Sequence, residues 1–103
     1  MSMHAETPAA IDEHAQAASR RARALLEQGR PHEAARAFSE ALEAAPDSAT
    51  DHFEFGKLLL SVGRLPEALG HLQRASALRP DWADALNSLG IALSEAGLHR
   101  DAE

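Results

Sequence analysis

Glycine recurs every 34 residues in this chain. Gly29, Gly63 and Gly97 stand one period apart, as do Gly56 and Gly90, so five of the six glycines occupy two repeat positions. Leu25, Leu59 and Leu93 keep the same spacing, as do Ala34, Ala68 and Ala102; Pro46 pairs with Pro80 and Asp47 with Asp81. Alanine coincidences come cheaply in an alanine-rich chain, but glycine and proline coincidences do not. A period of this length means one supersecondary unit that buries its apolar face only by stacking on its neighbours. In this register the units are Ala15–Ser48, Ala49–Trp82 and a truncated Ala83–Glu103, preceded by an extension, 1–14, that is partly helical.

Each unit carries the punctuation of a helix hairpin. Asp47 or Ser48 is placed to cap a helix running to about Val62, and Gly63 supplies the left-handed residue that ends it. Pro66 falls in the first turn of the next helix, where a missing N–H costs nothing. That helix runs to about Leu78, Pro80 blocks its extension, and Asp81 is placed to cap a last helix extending to Ala96. The first helix is expected from Pro8, with Thr7 as its cap, to about Gln28. Apolar residues fall three and four apart, as Phe55, Leu58, Leu59 and Val62 do, which is the helical and not the strand period. The predicted class is all-α.

Composition fits closely apposed helices. Apolar residues make up 45% of the chain but aromatics only 4%, so the core cannot be thick; alanine favours helices and lets two backbones approach. A formal charge of -6 disfavours unspecific attraction to nucleic acid or to an anionic membrane. The absence of cysteine excludes disulfides and thiolate zinc sites. MSMHAETPAA has neither the basic region nor the apolar core of a signal peptide, and no apolar run is long enough to span a bilayer. A cytoplasmic protein is expected, and the preference for arginine over the single Lys57 points to GC-rich bacterial coding.

These residues resemble the tetratricopeptide repeat family, whose pattern is W-x2-L-G-x2-Y, then A-x3-F and a late proline over 34 residues. The third unit carries Leu86, Leu89, Gly90 and Leu93; the second carries His52, Phe55, Gly56, Leu59, Ala68, Leu72 and Pro80; the first carries Leu25, Ala34, Phe38, Ala41 and Pro46. Ala18, His52 and Leu86 replace the tryptophan of the pattern, and Arg21 stands where leucine is usual. The resemblance implies a helix-turn-helix repeat solenoid, a right-handed superhelix of about two and a half repeats. It also implies that Gly56, Gly90 and Ala22 let the two helices of a hairpin nearly touch.

The function implied is protein–protein interaction, with a peptide or partner protein held in a concave groove lined by the first helix of each unit. By position, the residues offered for this are Arg23, Phe53, Lys57, Leu60, Asn87 and Ile91. Family members that grip the carboxylate tail of heat-shock chaperones do so with lysine, asparagine and arginine. The corresponding positions here are Ser19, Arg23, Glu54, Asp84 and Ser88, which would repel a free carboxylate. Trp82, the only tryptophan, is expected to staple the turn between units.

No enzyme is expected. The chain has no Gly-rich phosphate loop, no nucleophile elbow and no Cys–His pair. Its six histidines, His4, His14, His32, His52, His71 and His99, never fall three or four apart, so no two share a helix face as zinc ligands would. Neither a catalytic residue, a cofactor nor a metal site is predicted. The third unit stops as its second helix begins, and Leu86, Leu89 and Leu93 follow the internal-repeat pattern, not that of a polar cap. We therefore expect a fragment of a longer protein, with a homodimer formed through the uncapped third-repeat helix. A second reading makes it the substrate-presenting or oligomerising arm of an enzyme, such as a transferase, with its catalytic domain downstream.

Overall fold

The computed structural model describes the backbone of residues 8–102 and the side chains of residues 12–97. Five helices follow one another: α1 (Pro8–Glu27), α2 (Pro31–Ala44), α3 (Ala49–Ser61), α4 (Leu65–Leu78) and α5 (Ala83–Ala102). Among the described residues there is no strand, as the all-α prediction requires. None of these helices is long and apolar enough to cross a membrane. The expected cap Thr7, and His4 with it, lie outside the described residues.

The chain divides into two compact units, Met1–Asp47 and Ser48–Glu103. In the first, α1 and α2 form a hairpin whose buried surface is mostly alanine: Ala15, Ala18 and Ala22 on α1 and Ala34, Ala37 and Ala41 on α2. Among the described residues there, Phe38 is the one large side chain that is wholly enclosed. Small residues on both helices bring the backbones close, and one aromatic ring fills what remains. Arg21, at a position where the pattern wants leucine, is exposed and pairs with Glu40 of α2.

In the second unit α3 and α4 form the equivalent hairpin, and α5 packs against both. Leu59 and Leu72 are fully buried, with Ala68 and Ala75 beside them on the α4 side. Gly56 is where the hairpin is tightest. A Cβ built there would lie 2.7 Å from Leu72 Cγ and 3.3 Å from its backbone nitrogen. Only glycine permits this approach of α3 to α4, as its place in the repeat implied.

The two hairpin turns are built alike. Gly29 and Gly63 have φ of 74° and 83°, and they are the only described residues with positive φ. Gly29 N–H donates to Leu26 C=O and Arg30 N–H to Leu25 C=O; 34 residues on, Gly63 donates to Leu60 and Arg64 to Leu59. This is the Schellman arrangement, which satisfies the last carbonyls of a helix and needs a left-handed residue. Each glycine is followed by an arginine that grips a glutamate in the first turn of the next helix. Arg30 Nε donates to Glu33 at 2.6 Å and Arg64 Nε to Glu67 at 2.7 Å, each pair closed by a second bond from Nη2.

Two expectations are corrected. Ser48, whose Oγ accepts from Asp51 N–H at 3.2 Å, caps α3, but Asp81 does not take the equivalent place before α5. There the carbonyl of Trp82 accepts the first helical bond, from Leu86 N–H. More consequentially, α5 does not end near Ala96; it runs through Gly97 to Ala102. Gly29 and Gly63 are followed within three residues by a proline and by the arginine–glutamate clamp. Gly97 is followed directly by Leu98 and not by arginine, and no proline comes within three residues. A helix that continues satisfies its own carbonyls without a cap.

Candidate functional site

The side chains proposed from the sequence fall in both units. Arg23 lies half-buried on α1 in the first. The other five belong to the second: Phe53, Lys57 and Leu60 on one stripe of α3, and Asn87 and Ile91 one turn apart on α5. Of these, Lys57, Asn87 and Ile91 are exposed, Ile91 at 48%, and Leu60 is half-buried against the core.

Phe53 is not the open anchor that the pattern suggested. It is only 9% exposed and belongs to the core cluster with Leu72, Ala75, Ala85 and Ala92. The reason is Trp82. The turn after Pro80 folds the indole onto Phe53, with ring centroids 4.5 Å apart and planes tilted by 51°, within the range of favourable aromatic pairs. Lys57 covers the ring from within α3, its Nζ 4.8 Å from the centroid, and the guanidinium of Arg79 lies 4.2 Å from the indole. The result is a ladder of cation, ring, ring and cation: Lys57, Phe53, Trp82 and Arg79. Trp82 thus staples the turn as expected, and the α3–α5 face presents Lys57, Leu60, Asn87 and Ile91.

Two histidines 19 residues apart in sequence meet across the second hairpin. His52 on α3 and His71 on α4 approach across the hairpin, Nδ1 to Nδ1 at 3.0 Å, with Phe55 4.5 Å from the His71 ring. Burial, and then the charge of His52, holds the His71 imidazolium below the ordinary histidine range, with Glu67 opposing. The signal available in the sequence was the repeat itself, since one period earlier the same positions hold Ala18 and Ala37. Among the described residues no three His, Cys, Asp or Glu side chains are grouped to hold a metal ion.

The profile of the tetratricopeptide repeat matches residues 25–91, well over half the chain. The chain belongs to the tetratricopeptide repeat family. The Hsp70-Hsp90 organizing protein of Triticum aestivum is 35% identical over 69 residues, which are 67% of this chain and 12% of that protein. Among solved structures, MamA superposes with a TM-score of 0.77 at 24% identity, covering 85% of this chain and 52% of MamA. A point mutant of MamA gives 0.75 at 19% identity, covering 92% and 72%. These likenesses show the helical-repeat fold of the tetratricopeptide family in this chain.

Proposed function

We propose that this tetratricopeptide chain is a protein-interaction module that holds a peptide or partner protein and performs no chemistry itself. The observation that carries the reading is the face of α3 and α5. Lys57 is fixed over Phe53, Leu60 is half-exposed beside it, and Asn87 and Ile91 project from the neighbouring helix. An apolar anchor, a cation and an amide on rigid helices suit a segment bound by a few side chains. Arg23, on α1 of the first unit, offers a half-buried cation of its own. Membership of a repeat family that includes the Hsp70-Hsp90 organizing protein supports an interaction role. The ligand proposed here is not a free carboxylate tail, because of Ser19, Arg23, Glu54, Asp84 and Ser88 only Arg23 is a cation, and Asp84 carries the opposite charge. Affinity capture followed by mass spectrometry, with Lys57→Glu and Ile91→Ala beside the parent chain, tests the face. Both variants should lose the same captured proteins while still melting cooperatively as folded chains. Undiminished capture by both would refute it.

A second reading rests on α5. Leu86 and Leu93 are 47% and 49% exposed, and no heavy atom would meet a Cβ on Gly90 within 4 Å. One period earlier, His52, Gly56 and Leu59 are buried in the α3–α4 hairpin. We propose that a second copy covers this stripe. Light scattering over a dilution series should show a dimer that Leu93→Glu abolishes, and a monomer at high concentration would refute it.

A further inference from the structure

We propose that His52 and His71 form a proton-sensitive latch on the α3–α4 hairpin, closed when the pair carries at most one extra proton and forced apart when it carries two. The geometry sets this limit. With the two Nδ1 atoms 3.0 Å apart, one must donate its proton and the other must accept with its lone pair. A first added proton goes to the Nε2 of the donor ring and leaves the contact in place, now charge-assisted. A second added proton must go to the accepting Nδ1. Two N–H groups on two cations would then face each other where a hydrogen bond had been, and the contact cannot survive.

Burial works against a charge on His71. His52 is 9% exposed and His71 is half-buried, so solvent screening is weak. Phe55 closes one side of His71. Glu67, one turn back on α4, is the acidic group that acts on His71, and it is already gripped by Arg64 through two bonds. The other charged side chains within a turn of the pair are Asp51 and Glu54 on α3 and Arg74 on α4.

The first hairpin shows that the fold does not require titratable groups here, since Ala18 and Ala37 occupy the same repeat positions and are buried. The histidines therefore add a response to pH that an alanine pair lacks. Its sign follows from linkage. A histidine whose folded pKa is depressed binds fewer protons than the unfolded chain, whose value is about 6.5. The contribution of His71 is whole above that value and is lost as pH falls through the folded one. The latch is independent of what the α3–α5 face binds.

The test uses the full chain. Nitrogen-15 NMR of the imidazoles at about pH 7.5 should show one of the two Nδ1 atoms protonated and the other not. Between about pH 7.5 and about pH 5 the Tm should fall by roughly 5 °C or more, and His71→Gln should remove at least about half of that fall. Gln can still donate to His52 but does not titrate. Equal pH slopes for both chains would overturn the proposal. So would two protonated Nδ1 atoms at about pH 5 with the amide signals of α3 and α4 unchanged, and this reading needs no variant to fold.

Discussion

Gly56 and Leu72 meet so closely that the hydrogen of the glycine is the only substituent that fits: an added Cβ would stand 2.7 and 2.9 Å from two carbons of the leucine side chain. Leu72 is fully buried and cannot swing into solvent to make room. Gly56→Ala should therefore destabilise the chain by about 1–3 kcal/mol through overpacking. Gly90→Ala, at the same repeat position on α5 but with open space around it, should stabilise by about 0.5–1 kcal/mol because alanine is the better helix residue. Urea denaturation of the two variants measures both signs. The same sign for both would mean that the close approach does not govern this position.

The hairpin glycines make a second contrast. Gly29 and Gly63 have space for a methyl group but hold a left-handed backbone, whereas Gly97 lies inside α5. Alanine at position 29 or 63 should cost about 1–2 kcal/mol. Alanine at 97 should leave stability unchanged or raise it by about 1 kcal/mol. Thermal melting of the three single variants distinguishes them.

Trp82 is the only tryptophan, so its fluorescence reports on Phe53 without a label. Phe53→Ala should lower stability by about 3–5 kcal/mol and shift the emission to longer wavelength as the indole loses its neighbour. Lys57→Glu, which takes the cation off the Phe53 ring, should cost only about 0.5–1 kcal/mol. Emission and denaturation curves recorded on the same samples check both outcomes.

The hydroxyl of Ser76 is buried and has no hydrogen-bond partner among the described residues. Removing it relieves a desolvation cost without breaking a bond, so Ser76→Ala should be neutral or stabilising by up to about 1 kcal/mol, aided by the helix preference for alanine. A chemical-denaturation midpoint below that of the parent chain would show that the hydroxyl is satisfied in solution.

The residues of the candidate face were legible in part. Their helices and their spacing along them follow from periodicity, and Lys57, Leu60, Asn87 and Ile91 lie on exposed or half-exposed surface. Exposure of Phe53 was not legible, because it depends on where the turn after Pro80 delivers the indole. The His52–His71 contact was hidden for the same reason: the two residues are 19 apart and meet only because the hairpin folds back.

What the sequence alone determined is local and periodic. The glycines that need positive φ, the prolines that stop or start helices, and the three-and-four pattern of apolar residues act within a turn or two of chain. They were enough to place α1, α3 and α4 to within about two residues. What only tertiary structure decided is which side chains meet across helices, and whether a helix-ending signal is obeyed. Gly97 repeats the spacing of Gly29 and Gly63, yet α5 continues through it. A glycine permits a turn without compelling one. At Gly29 and Gly63 the arginine that follows, its bonds to glutamate and the packing of the next helix favour the turn.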